Sequence, residues 1–183
     1  MVVLGLEPWE PHTVNAAYGP SESALILLCG LPGSGKTTTA KTLARTRQAV
    51  RLCPDEWIAY LGADFFDDAL RERIEDLQWR LARDLSLVGT SVIIESGHWL
   101  KSDRDTKRDW ARGHDVRIEL VYLDVPIEER WRRLSKRNSA SHPASVPLTL
   151  EVLASYDSLF QTPDEEEQKL YDAPPHTAHA ERQ

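Results

Sequence analysis

Apolar runs and helical periods alternate along this chain. Ala24–Cys29 (A-L-I-L-L-C) is continuously apolar, the mark of a strand covered on both faces. Thr37–Thr46 can form a helix, Ala49–Cys53 is a short strand candidate, and Asp55–Leu61 is a helical turn after a proline. Leu70, Ile74, Leu77, Leu81, Leu85 and Val88 keep steps of three and four, which predicts a long helix over Phe66–Val88 with these residues as its buried stripe. Gly89 opens a strand at Thr90–Ile94. Ser102–Arg112 reads as a helix stopped by Gly113, and Val116–Leu123 as a strand. A helix follows from Pro126, and Leu148–Phe160 is the last clear one. The alternation predicts an α/β fold with a parallel sheet of four or five strands flanked by helices and joined by right-handed crossovers. In such sheets ligands gather beyond the carboxyl ends of the strands.

The ends differ. Residues 1–23 hold Pro8, Pro11, Pro20 and Gly19 without a sustained period and read as an N-terminal arm. The domain spans 24–172. The acidic run from Asp164 onward is expected to be loosely ordered, with 173–183 a flexible tail. His176 and His179 in that tail carry no expectation of a metal site.

One loop carries the chemistry. Residues 30–37 read G-L-P-G-S-G-K-T, which fits G-x-x-x-x-G-K-[ST] at every fixed position, between a strand and a helix. Glycines let the backbone take positive φ and approach a ligand closely. Successive N–H groups then form an anion nest ahead of a helix N-terminus. Gly30, Pro32, Gly33, Ser34, Gly35, Lys36, Thr37 and Thr38 are the expected binding residues for a purine triphosphate, ATP or GTP. Lys36 reaches the β- and γ-phosphates, and Thr37 ligates Mg²⁺.

Carboxylates follow three strands. Asp55, in C-P-D-E-W, is a candidate base or acceptor-orienting group, or else a cap for the helix it opens. Glu95 is a candidate water-mediated Mg²⁺ ligand, and Asp124 reads as a helix-cap residue. His98 and Trp99 follow Glu95 and could border an acceptor pocket, although Trp99 suits a core equally well.

Charge and cysteine content narrow the class. The formal net charge of −7 argues against a sequence-independent grip on nucleic acid. Positive charge is local: Arg130–Arg137 holds five cations in eight residues, more than a solvated helix face requires once a triphosphate must be neutralised. No apolar stretch approaches a membrane span, and the N-terminus has no basic region of the signal-peptide kind. Cys29 and Cys53 make no disulfide framework. The expectation is a cytoplasmic protein.

The blocks G-L-P-G-S-G-K-T, P-D-E-W, I-E-S-G-H-W, L-D-V-P-I-E-E-R-W-R-R-L-S-K-R-N and L-F-Q-T-P-D-E-E-E resemble the small P-loop kinases of the AAA_33 or predicted-kinase type. These are similar to the kinase domain of phage polynucleotide kinase, to zeta toxins and to chloramphenicol phosphotransferase. The resemblance covers roughly residues 24–172. It implies that Lys36 and Thr37 take the phosphate and Mg²⁺ roles and that Asp55 activates the acceptor hydroxyl. It places Arg130, Arg133 and Arg137 in an arginine-bearing lid around 126–147, and Arg104 in the segment that helps hold the acceptor. Glu95 departs from the pattern, since many relatives carry Asp there.

The implied activity is transfer of a γ-phosphoryl group to a small-molecule hydroxyl. Sixteen Arg against six Lys hint at a GC-rich genome, and with it at an antibiotic acceptor and self-resistance. Two other readings stay open: a nucleotide-dependent switch without transfer activity, and a zeta-toxin-like kinase of a nucleotide sugar. A regulatory GTPase is disfavoured, because no N-K-x-D signature occurs, though GTP could still serve as donor.

Overall fold

In the computed structural model, residues 23–139 and 147–174 are described. Four parallel strands form the sheet: β1 (Ala24–Cys29), β2 (Val50–Leu52), β3 (Val92–Gly97) and β4 (Arg117–Tyr122), in the order β2-β3-β1-β4. All six residues of β1 are buried, as its unbroken apolar run requires of a central strand. Leu25 and Leu27 pack on one face with Leu52, Val92, Ile94 and Ile118. Ala24, Ile26, Leu28 and Ile93 pack on the other, against Ala40 of α1 (Lys36–Thr46).

Helices α2 (Pro54–Tyr60) and α3 (Asp68–Leu87) follow β2, and α4 (Lys101–Gly113) follows β3. Beyond β4 come α5 (Ile127–Ser139), α6 (Leu150–Leu159) and the single turn α7 (Glu165–Gln168). Every strand in the sequence reading exists within a few residues of its expected place.

Two expectations are corrected. The buried face of α3 is Ile74, Gln78, Ala82 and Ser86, whereas Leu77 is 55% exposed and Val88 76% exposed. Close approach of α3 to β3 favours small side chains, so the leucine-rich line turns to the flank and the wide Trp79 and Leu85 complete the packing. Likewise the acidic run is not loose at its start. Asp164 caps α7 by accepting from the Glu167 N–H at 2.7 Å, and Glu167 is buried. The N-terminal arm 1–22, residues 140–146 of the expected lid and the tail from 175 lie outside the described residues.

Candidate active site

The P-loop turns tightly at the carboxyl end of β1. Ser34 N–H donates to the Leu31 carbonyl at 3.1 Å, and Gly35 precedes α1 in the left-handed region at φ 100°. No side chain caps α1, so its first N–H groups face the loop. Gly33, at φ 83°, has a second constraint: a Cβ there would lie 2.8 Å from the Arg130 carbonyl. Lys36 folds back so that Nζ donates to the Leu31 carbonyl at 3.0 Å. Loss of water around the ammonium lowers its pKa to about 8, against the pull of the Glu95 and Asp55 carboxylates.

Glu95 comes next on β3, two residues beyond Ile93 of the α1 face, beside a register shift between β1 and β3. Leu27 pairs with Ile94, but Cys29 pairs with Gly97, so β3 carries one extra residue at its end. Glu95 there turns to the α1 face. Its Oε1 accepts from Thr37 Oγ1 at 2.5 Å and its Oε2 from Arg51 Nε at 2.7 Å, while the other Arg51 nitrogens hold Glu56 at 2.8 and 3.0 Å. Thr37 and Glu95 thus meet as two hard oxygen donors, with Arg51 leaving one Glu95 oxygen turned to the site. That donor set suits Mg²⁺, which takes few protein ligands and keeps its waters and phosphate oxygens. Among the described residues no group of three or more His, Cys, Asp or Glu could hold a metal by itself.

Asp55 lies in the first turn of α2, but the cap position is Cys53 and no side-chain cap bond forms. The capping reading of Asp55 is therefore set aside. Its carboxylate is 58% exposed and accepts from Arg71 Nη2 at 2.8 Å. It bears electrostatically on Lys36 and also on Arg137, whose Nε is buried without a partner among the described residues. Arg133 lies over the loop, its Nη1 donating to the Ser34 carbonyl at 3.3 Å and its Nε to Glu129 at 2.7 Å.

Four other expected residues are turned elsewhere. Arg104 is fully buried: Nε and Nη2 bind the two Glu167 oxygens at 2.6 and 2.9 Å, and Nη1 donates to the His98 carbonyl at 2.9 Å. It ties α4 to α7 and presents nothing to an acceptor. His98 is buried with its Nδ1 facing Asp103 at 2.9 Å, and burial lowers its pKa. Arg130 is buried as well, gripping Asp157 of α6 through Nη2 at 2.5 and 2.7 Å, with Nη1 alone left unpartnered among the described residues. Trp99 leans on Tyr156 with ring centres 4.9 Å apart, a packing contact between the β3 loop and α6. Sequence reasoning missed Arg51 and Arg71, which orient Glu95 and Asp55. A lone arginine inside the short strand β2 was the visible signal for the first.

The sequence matches the model of the AAA_33 family, described as an AAA domain, over residues 25–163. The chain belongs to this family. A member of AAA_33 by sequence, it also has the P-loop kinase architecture of its structural neighbours. A shikimate kinase of Corynebacterium glutamicum is 33% identical over 127 residues, covering 63% of this chain and 66% of that protein. A chain of the Pnkp1/Rnl/Hen1 RNA repair complex superposes with a TM-score of 0.64 at 22% identity, over 85% of this chain and 50% of that one. The APS kinase of Mycobacterium tuberculosis, solved with AMPPNP and APS, gives a TM-score of 0.53 at 25% identity, covering 67% of this chain and 75% of its own. The chain thus spans just under two thirds of the shikimate kinase and half of the RNA repair chain. Among the described residues, no helix is long and apolar enough to cross a membrane.

Proposed function

We propose that this chain is a kinase that transfers the γ-phosphoryl group of ATP or GTP to a hydroxyl of a small molecule. The observation that carries the reading is Asp55, an open carboxylate freed from capping, held by Arg71 and near enough to act electrostatically on Lys36 and Arg137. Asp55 accepts the proton of the acceptor hydroxyl. The acceptor oxygen bonds to the γ-phosphorus as the bond to the β–γ bridging oxygen breaks, and the nucleoside diphosphate leaves. Lys36, the P-loop N–H groups, Arg133 and Arg137 neutralise the phosphate oxygens. Mg²⁺, held by Thr37 and reached by Glu95 through water, would add further charge compensation. Residues 24–172 form the unit that carries this activity, since α7 is bonded into the core. The excess of arginine over lysine favours an antibiotic-type hydroxyl, and two free cysteines beside a nucleotide site favour a cytoplasmic setting.

Asp55→Asn tests the reading. With γ-labelled ATP, Mg²⁺ and a metabolite pool, the wild type should label a small molecule. The variant should bind nucleotide normally but transfer roughly 10²–10⁴-fold more slowly, the usual range for a positioned base. The acceptor's KM should move less than kcat. Release of free phosphate alone would mark a switch protein, and unchanged transfer by the variant would remove Asp55 from the chemistry.

A further inference from the structure

A cavity of about 230 Å³ opens between α3, the end of β3 and α4, on the sheet face opposite the P-loop helix. Its lining includes four carboxylates, Glu72, Glu75, Asp76 and Asp103, against one cation, Lys107. That cation is spent. Lys107 forms an ion pair with Asp103 and lies over the Trp79 ring at 5.5 Å. Asp103 is spent too, between Lys107 and His98. Glu72, Glu75 and Asp76 share one face of α3 by their spacing, and their charge is little compensated. Among the described residues Glu75 is ion-paired with Arg71 alone, at 3.7 Å, and Arg71 is already committed to Asp55 at 2.8 Å.

A second observation points to a ligand. Gln78 is 1% exposed and lines the same cavity, and neither its Nε2 nor its Oε1 has a partner among the described residues. A buried amide without partners is rare in native proteins and calls for something to bond it. The amide offers both donors and an acceptor. The neighbouring carboxylates accept only.

We propose that this cavity is the acceptor subsite and that it takes a single ring-sized polyol carrying a protonated amine, of the amino-sugar or aminocyclitol class. The proposal rests on the kinase reading and gives it a substrate class. The ammonium meets Glu75, with Glu72 and Asp76 at the mouth. Gln78 fixes the ring by bonding a hydroxyl and an amine hydrogen. Arg71 links Glu75 to Asp55, so a neighbouring hydroxyl of the same ring is turned toward the base. Partial loss of water raises the Glu75 pKa, and a ligand cation would draw it back down. Anionic acceptors are repelled by the same carboxylates.

Calorimetry on the full chain with AMPPNP and Mg²⁺ tests this, using 2-deoxystreptamine and glucosamine as probes against myo-inositol, glucose and gluconate. At least one amine should bind, roughly tenfold or more tighter than its neutral counterpart, with gluconate binding weakest, as expected of charge-assisted hydrogen bonds. Glu75→Gln should erase that preference, and Gln78→Leu should weaken both the amine and its neutral counterpart without lowering the melting temperature. No amine binding, equal affinity for amine and neutral ring, or an unaltered preference in Glu75→Gln would overturn the proposal. A higher melting temperature in Gln78→Leu with binding intact would show a water-filled void. Amine binding without transfer would defeat the kinase reading alone, whereas transfer confined to gluconate or a 5′-hydroxyl oligonucleotide would defeat the subsite alone.

Discussion

At the scale of single residues, Lys36 makes the most direct statement about ligand. Its ammonium is folded onto its own loop, and its pKa is pulled down to about 8 from an ordinary value of 10.5. Between those two values the unfolded chain holds more protons than the folded one, so this group makes stability rise with pH across that window and adds no pH dependence well below it. A triphosphate reverses the cause, because phosphate oxygens favour the charged form. Nucleotide binding above pH 8 should therefore take up a proton. Calorimetry in buffers of different ionisation enthalpy should show uptake growing from near zero at pH 7 toward about one proton near pH 9. Lys36→Met should abolish the uptake and weaken binding. Uptake that persists in Lys36→Met would assign the proton to another group.

Elements carry the next level of meaning, and here α7 is decisive. A four-residue helix cannot hold itself, and its attachment is the buried bidentate pair between Glu167 and Arg104. Glu167→Ala strands a buried guanidinium and should cost about 3–5 kcal/mol, whereas Arg104→Met with Glu167→Leu should recover most of it. Urea unfolding of the three proteins measures both. Equal stability of Glu167→Ala and wild type would mean that α7 is ornamental. The same pair shows what the sequence could and could not disclose. The P-loop was legible because its spacing is dictated by phosphate geometry within eight contiguous residues. The central strands β1 and β3 were legible because burial on both faces needs apolar runs, whereas the edge strands β2 and β4 carry Arg51, Arg117 and Glu119 among their apolar residues. The fate of Arg104 was not legible: its partner lies 63 residues away, and an arginine in a polar helix looks solvated until that partner is placed. Arg130 was misread for the same reason, being bonded to Asp157, 27 residues away, whereas the His98 partner Asp103 is only five residues on and is brought to the ring by the turn into α4. The face of α3 misled in another way, since a tight helix–sheet contact selects small residues and a leucine count does not.

At the scale of the whole molecule, each strand of the described sheet is paired, whereas some cations of α5 have no carboxylate partner among the described residues. β1 is buried between β3 and β4, while α5 touches the P-loop through the Gly33–Arg130 contact and the Arg133 bond to Ser34. Arg133 is shared with Glu129, and Arg137 has a buried nitrogen without a partner among the described residues, so part of the positive charge on α5 is uncommitted. Like charges spaced along one helix repel each other until an anion arrives. A triphosphate in the loop should therefore draw α5 down. Arg130 grips Asp157, so α6 should travel with it. Hydrogen exchange with AMPPNP and Mg²⁺ should slow at amides of both α5 and α6, with β1 and β3 unchanged because they are protected already. Asp157→Asn cuts the coupling: α5 should still slow, α6 should slow much less, and kcat should fall more than nucleotide affinity if closure of the pair assembles the site. Exchange that is identical with and without nucleotide in the wild type would make α5 a static wall, and the arginines would then act only where they already stand.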